Sequence, residues 1–511
     1  MNSGQNCVLS LDIGTTGLKV GLFSSAGELM ASAAREQELI LKDNDRFEQS
    51  PQVTWSNICA AVRQVIKGYD PDCVKAIALS LQRGTVIPLS SDGEALSDFI
   101  VWMDKRGLPY AHKVNEIIGR QNYYRISGHP LTYIGGASKV LWLANEARDI
   151  LSEGAKISPP ESYFLSRLGC EELVCSDSTG TYLFPFEIEK KVWSEELAGK
   201  LDFDLTRLPR LAQSTEIVGQ LSIGAAEELG LVPGIPLVPG GGDGQCAAAG
   251  CGVVQSGLCM INIGTATGVQ TYLPEPLLDP GCVLNCAAHV VPDAWEMEGH
   301  TQCSGAVFRW MRDEFGAAEL ELERKSDLDA FDLLIDEAVK APPGSDGLLF
   351  LPTFNGSTAP VIDQEARGAY LGLGLNHSRS HVIRALLEGI SLEIRWMLDA
   401  INQSGAAVNE VRLVGGGSKN QHWNQIHADI LGRPVVTLHV TDSALVGAAM
   451  CAAVAAGFYE DFYEASNHFV RIKETIEPNP VNVPVYNKSF ENYRRAFSLL
   501  SESGIFGDLR G

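Results

Sequence analysis

One short pattern, written twice, constrains this chain more than any other feature. Val8-Leu9-Ser10-Leu11 reads as a buried strand and Asp12-Ile13-Gly14-Thr15-Thr16-Gly17 as a tight turn. Leu18-Lys19-Val20-Gly21-Leu22-Phe23 is then a second strand, closed by Ser24-Ser25-Ala26-Gly27. The outline returns at Cys259-Met260-Ile261-Asn262-Ile263-Gly264-Thr265-Ala266-Thr267-Gly268-Val269, where Ile-Gly-Thr repeats Ile13-Gly14-Thr15. Repetition of a whole hairpin points to two related domains, each presenting one glycine–threonine loop. Either loop alone is an ordinary tight turn, whereas two facing each other cradle a polyphosphate between N–H groups and hydroxyls. The first is not a Walker loop, because it has no Gly-Lys-Ser/Thr ending and no helix follows it directly.

Between the copies lies Pro239-Gly240-Gly241-Gly242-Asp243-Gly244-Gln245-Cys246. Glycines let a ligand approach the backbone closely, and an acid held there suits a general base facing a substrate hydroxyl. The competing reading makes Asp243 the N-cap of a helix through Ala247-Ala248-Ala249. Other polar groups gather at strand ends, where open α/β sheets place ligands: Gln82-Arg83-Gly84 after Ala76–Leu81, and Asp104-Lys105-Arg106 after Phe99–Trp102. Arg83, Asp104 and Arg106 read equally as a surface ion-pair cluster. Val411–Val414 runs into Gly415-Gly416-Gly417-Ser418-Lys419-Asn420 and a helix through Asp429. That arrangement serves a flat or phosphorylated ligand, or simply a tight connection. Helices are also expected over Ser138–Leu151, Ser380–Ile401 and, peripherally, Tyr486–Leu500.

At 511 residues the chain exceeds a single core, and the most natural crossing between its halves is Gly250–Gly257. A formal charge of −23 argues against nucleic acid or an anionic membrane as partner. The Ala/Gly-rich run Ala444–Tyr459 is short of the roughly 20 strongly apolar residues of a span, so it reads as a buried helix. Met1–Asn6 carries no leader pattern. The twelve cysteines lack paired metal-site spacing and read mostly as small buried hydrophobes in a reducing compartment.

Taken in order, these segments resemble the FGGY carbohydrate kinases, the actin-like family of xylulokinase, glycerol kinase and gluconate kinase. Asp12–Gly17 with Lys19 is similar to the family's first phosphate loop, and Trp102-Met103-Asp104-Lys105-Arg106 to its Trp-x-Asp-x-Arg segment. Lys139-Val140-Leu141-Trp142-Leu143 and Ser176-Asp177-Ser178-Thr179-Gly180-Thr181 match two further landmarks. Gly242-Asp243-Gly244 stands where the family keeps its catalytic acid, and Ile263-Gly264-Thr265 resembles the second phosphate loop. Gly415–Lys419 through Gly432 resembles the adenosine motif.

The resemblance implies an α/β chain of two actin-like (ribonuclease H-like) domains, 7–250 and 256–475, with an interdomain active-site cleft and an extension, 476–511. It implies an ATP-dependent, Mg²⁺-using sugar kinase of the cytoplasm, with a homodimer as its conceivable assembly. Asp243 would be the base, and Gln82, Arg83, Trp102, Asp104 and Arg106 would bind sugar beside it. Asp12, Gly14, Thr15, Thr16, Lys19, Gly264, Thr265, Gly415, Gly416, Gly417 and Asn420 would hold ATP. Asp12 and Asp243 would face Mg²⁺, in part through water.

The chain departs from the family at two points. Glycerol kinases place an acid where Gly84 stands and xylulokinases read Gln-Met-His-Gly there, while Gly244 is closer to gluconate kinases. An open-chain ketose or polyol is expected, xylulose leading, with glycerol or gluconate as alternatives. A rival of another class is an actin-like ATPase switch without a sugar substrate, and a third is a binding module that lost catalysis.

Overall fold

The computed structural model describes residues 6–43, 45–151, 153–439 and 442–509; Met1–Gln5, read above for a leader, lie outside them. In the first half, the strands are β1 (Cys7–Ile13), β2 (Gly17–Ser24), β3 (Leu29–Glu36), β4 (Val74–Leu81), β5 (Gly219–Gln220) and β6 (Pro236–Gly242). They form one sheet in the order β5-β6-β4-β1-β2-β3. In the second half, they are β7 (Gly257–Ile263), β8 (Thr267–Leu273), β9 (Asn285–Ala288), β10 (Trp295–His300), β11 (Val408–Val414), β12 (Val435–Leu438) and β13 (Ile472–Ile476). Their order is β9-β10-β8-β7-β11-β12-β13.

The sheets are built alike. Each has an antiparallel hairpin, β1–β2 or β7–β8, extended antiparallel by β3 or β10. On the other side of β1 or β7 come two parallel strands, β4 and β6 or β11 and β12. The duplication extends beyond the hairpin to the whole core of each sheet. The loops differ by a residue, since Ile13 pairs with Leu18 but Ile263 with Thr267. In β1 every side chain but that of Asp12 is buried, as befits a strand covered on both faces.

The helices that matter here are α1 (Gly136–Glu146), α2 (Asp243–Gly250), α3 (Gly305–Phe315), α4 (Arg379–Gln403), α5 (Gln421–Leu431), α6 (Ser443–Ala455) and α7 (Val483–Ser503). α6 is buried along Leu445–Ala453, in agreement with the reading of that run as a core helix. Its neighbours are unexpected, because it packs across β1 and β4 in the other half. Leu445, Ala448, Ala449 and Ala452 share one apolar cluster with Val8, Ala76, Ala78 and Val238. Ala247 and Ala248 of α2 in turn join Leu258, Met260, Val414 and Val436 of the second sheet. The chain therefore crosses between its halves at Gly250–Gly257 and returns with α6.

The two helices touch at glycines. A Cβ on Gly250 would stand 1.9 Å from the Ser443 carbonyl oxygen, and one on Gly447 would stand 1.9 Å from that of Cys246.

Two features depart from the sequence reading, which expected a peripheral final helix and cysteines mostly as small buried hydrophobes in a reducing compartment. The carboxy-terminal helix α7 buries Tyr486, Phe490, Tyr493 and Phe497 along one face, so it completes the second core. The Tyr486 hydroxyl accepts from Arg384 Nη2 (2.9 Å) and donates to Glu388 Oε1 (2.8 Å), both on α4. Cys7 and Cys73 are joined in a disulfide at the entrance to β1 and β4, whereas the other ten cysteines are free.

Gly447→Val places a branched side chain against the Cys246 backbone. Overpacking of this kind costs about 1–3 kcal/mol or more. The melting temperature should fall by several degrees, and a variant melting like the wild type would show that the helices are not pressed together there.

Candidate active site

The connections leaving the carboxyl ends of β1, β4, β6, β7 and β11 carry the candidate site, and Arg83, after β4, reaches Glu298 of β10 in the other half. Asp12 stands on β1 and accepts a hydrogen bond from Ser80 Oγ of β4 (2.7 Å). Burial pushes its carboxyl up to about 6, against the pull of the Ser80 hydrogen bond, and the charge of Asp243 adds to the rise. The first loop closes through Gly14 N–H donating to the Gly17 carbonyl (3.0 Å), the second through Gly264 N–H donating to Ala266 (3.0 Å). Gly264 and Thr265 are exposed. Behind them the N-terminus of α3 is pressed so close that a Cβ on Gly305 would lie 2.3 Å from the Gly264 oxygen. Lys19 pairs with Asp442, just before α6.

The third glycine loop meets the second at the end of β7. Gly415 has φ +85°, and a Cβ there would lie 2.5 Å from the Ile263 carbonyl oxygen, so only glycine passes without strain. Gly415 and Gly416 are exposed and Gly417 packs on Ile263 and Trp423. Asn420 caps α5, accepting from His422 and Trp423 N–H, and its amide donates to Asp332 Oδ1 (2.6 Å). Of the residues expected to hold ATP, Asp12 and Lys19 thus stand on β1 and β2, the others lie in or just after three glycine-containing loops, and the second and third of these loops meet at Ile263.

Thr15 joins the first loop to Gln82 and Trp102. Its hydroxyl donates to Gln82 Oε1 (2.7 Å) and accepts from Trp102 Nε1 (3.0 Å). Gln49, which sequence reasoning missed, donates to the Thr15 carbonyl (2.6 Å) and accepts from Gln82 Nε2 (2.7 Å). The strand expected through Trp102 stops at Ile100, and a turn follows. Asp104 fixes that turn. Its two oxygens accept from the N–H groups of Phe47 (2.8 Å) and Arg106 (2.9 Å) and from the Arg106 guanidinium (2.8 Å). Arg106 also reaches Glu48 (2.7 Å). The pair is buried, so it is no surface cluster, and Asp104 is spent on Arg106 and the Phe47 backbone. Lys139 of α1 braces the same turn, donating to the Trp102 (3.1 Å), Tyr133 (2.8 Å) and Ile134 (3.1 Å) carbonyls. Burial pulls its ammonium down to about 7 against the attraction of Asp104.

Arg83 belongs to a different group. Its Nε donates to Asp243 Oδ1 (2.9 Å), and its Nη1 and Nη2 grip Glu298 at 2.8 and 2.9 Å. Glu298 lies on β10, in the opposite half of the chain. Tyr182 takes an Arg83 N–H and donates to Glu298 Oε2 (2.8 Å). Glu296 is wholly buried beside them and is pushed well up by burial and by the charge of Glu298. Asp243 itself opens α2 without capping it: the cap residue is Gly242, and no side chain caps the helix. That corrects the cap reading. Oδ1 takes Arg83 and the Gly244 N–H (2.8 Å), and among the described residues no hydrogen bond reaches Oδ2. Glu296, Glu298 and Tyr182 escaped the sequence analysis. Two acids alternating with apolar residues in Trp295–His300 were the available signal.

Family comparison decides the class. The amino-terminal domain of the FGGY family of carbohydrate kinases matches residues 7–250, and its carboxy-terminal domain matches 259–456. The chain belongs to the FGGY family of carbohydrate kinases. It is an ATP-dependent sugar kinase, and the ATPase-switch and binding-module readings fall away. This FGGY kinase is 28% identical to a gluconokinase of Bacillus subtilis (strain 168) over 461 residues, 90% of each chain. It is 29% identical to a xylulose kinase of Lactococcus lactis over 504 residues, 97% of each chain. Ligand-bound xylulose kinase from Lactobacillus acidophilus superposes with a TM-score of 0.90 at 26% identity, covering 99% of this chain and 100% of that one. Plasmodium falciparum glycerol kinase with ADP superposes at 0.84 and 20% identity, covering 96% and 98%, a likeness of fold alone. Among the described residues no helix is long and apolar enough to cross a membrane.

The Asp104 geometry makes a prediction. Asp104→Ala leaves Arg106 buried without its main partner, which costs about 3–5 kcal/mol. The variant should melt well below the wild type and lose sugar turnover with it. An unchanged melting temperature would mean that the pair does not hold the Trp102 turn.

Proposed function

We propose that this kinase transfers the γ-phosphoryl group of ATP to a hydroxyl of an open-chain ketose or polyol, xylulose foremost, with Asp243 as the base. The observation that carries the reading is the state of Asp243. One oxygen is fixed by Arg83 and Gly244, the other makes no hydrogen bond among the described residues, and the side chain is 40% exposed. A carboxylate so held aims a free lone pair at an incoming hydroxyl.

Phosphoryl transfer asks for positioning, charge neutralisation and a proton acceptor. In this reading Gly14, Thr15, Thr16, Gly264 and Thr265 line the phosphates, and Lys19 adds positive charge. Gly415, Gly416, Gly417 and Asn420 support the nucleoside. Gln82, Arg83 and Trp102 line the sugar, while Asp104 and Arg106 position that wall.

Among the described residues no three or more His, Cys, Asp or Glu side chains are grouped to hold a metal. Mg²⁺ takes one or two carboxylates and otherwise waters and phosphate oxygens. Asp12, raised by burial, and Asp243 are the side chains that would face it. When bound, Mg²⁺ neutralises charge on the phosphate oxygens. Closure of the halves would exclude water from the transfer.

ADP release measured across ketoses, polyols and aldonates tests the substrate. A pentulose should give the highest kcat/KM, and glycerol or gluconate exceeding every ketose would overturn that choice. Asp243→Asn tests the base. Its kcat should fall about 10²–10⁴-fold, with ATP and sugar affinities nearly kept, because the loss lies in the transition state. A folded variant with near-normal kcat would remove Asp243 from the chemistry.

A further inference from the structure

A neutral ketose and an aldonate differ by one carboxylate, and Arg83 is the cation placed beside Asp243 to meet it. In this structure that cation is already spoken for. Its side chain runs over both glycines flanking Asp243: a Cβ on Gly242 would lie 2.7 Å from Arg83 Cδ, and one on Gly244 2.6 Å from Nη2. Nε then meets Asp243, and both terminal nitrogens meet Glu298 in a two-pronged pair. Glu298 is held in turn by the Tyr182 hydroxyl (2.8 Å) and lies 3.0 Å from His300 Nε2. Only 1% of the Glu298 side chain and 15% of the Arg83 side chain is exposed. Glu296 stands 3.9 Å from Arg83 Nη1, adding a second acid to the same wall.

We infer that Glu298 is a specificity-determining positioning residue: by pinning Arg83 across Gly244 it withholds the guanidinium from anionic sugars and sets the enzyme for uncharged ones. The inference rests on the reading of Asp243 as the base facing the sugar. A carboxylate entering beside Asp243 meets like charge and a cation whose bidentate geometry is satisfied by another acid. An uncharged polyol suffers neither penalty. Gly244 follows from the same arrangement, since any side chain there would occupy the space of the guanidinium.

The test is Glu298→Gln, which keeps the shape and removes the charge. kcat/KM is measured for D-gluconate and for the best uncharged substrate, with the KM for ATP alongside. Freeing one charge-assisted hydrogen-bonding partner should raise the gluconate-to-neutral ratio about 10- to 100-fold, with the KM for ATP unchanged. A ratio that stays constant while both substrates decline together would reduce Glu298 to a tie between the halves and overturn the inference. Should Glu298→Gln not fold, Gly244→Ala displaces the guanidinium by a separate route, and the ratio should move the same way; no movement there overturns the inference as well. Wild-type enzyme that prefers gluconate to all uncharged sugars would also overturn it. Wild-type enzyme that prefers a polyol to every ketose would sink the choice of xylulose and leave the role of Glu298 standing.

Discussion

Everything in the cleft depends on two helices that meet without side chains between them. At Gly250 and Gly447 the backbones of α2 and α6 approach so closely that no Cβ fits. Each helix lies against the apolar surface of the half that did not precede it, so the crossing ties the sheets about one line. The catalytic candidate Asp243 begins α2, and Asp442, the partner of Lys19, immediately precedes α6. The groups that would handle phosphate and hydroxyl are therefore set by the same contact that holds the halves together. Small residues suit this purpose because the size of the side chains at a helix contact sets how closely the two axes approach.

Around that line the site is built from buried polar groups, which are costly unless fully partnered. Two groups in the candidate site meet the requirement. Asp104, Arg106, Glu48 and Lys139 satisfy one another and the backbone of the Trp102 turn. Arg83, Glu298, Tyr182 and Asp243 do the same across the cleft. The first group is closed within the amino-terminal half, so it stays assembled whatever the halves do. The second spans both halves, so separating them unpairs charges, and this favours a site that is complete only when closed.

How far the sequence carried these conclusions differed by element. The hairpins were legible because a strand–turn–strand unit declares itself within a dozen residues: 8–11 and 18–23 became Cys7–Ile13 and Gly17–Ser24. The length of Ser380–Ile401 likewise made α4 plain. Ala444–Tyr459 told its burial but not its partner, since alanines and glycines permit a close approach without naming what approaches. The acid at 243 was visible in its glycine run. Its partner Glu298 was not, because two alternating acids in a strand look like an exposed edge until the opposite half is placed against them. Cys7 and Cys73 carried no spacing signal at all, as the disulfide reflects only the parallel pairing of β1 with β4.

The two departures from the family pattern have separate physical origins. Gly84 has φ +69°, and a Cβ there would lie 2.6 Å from the Ile134 carbonyl oxygen, an oxygen that also accepts from Lys139. An acid at 84 would strain the backbone and disturb the brace behind the Trp102 turn, so its absence follows from how α1 packs. Gly244 has no such backbone demand; its neighbours are Arg83 and Gln270 side chains. One glycine is therefore kept by the scaffold and the other by the guanidinium that lies over it. A family motif compared letter by letter treats these two positions alike. Physically, substitution at 84 disturbs the brace behind the Trp102 turn, whereas substitution at 244 changes where a charge sits beside Asp243.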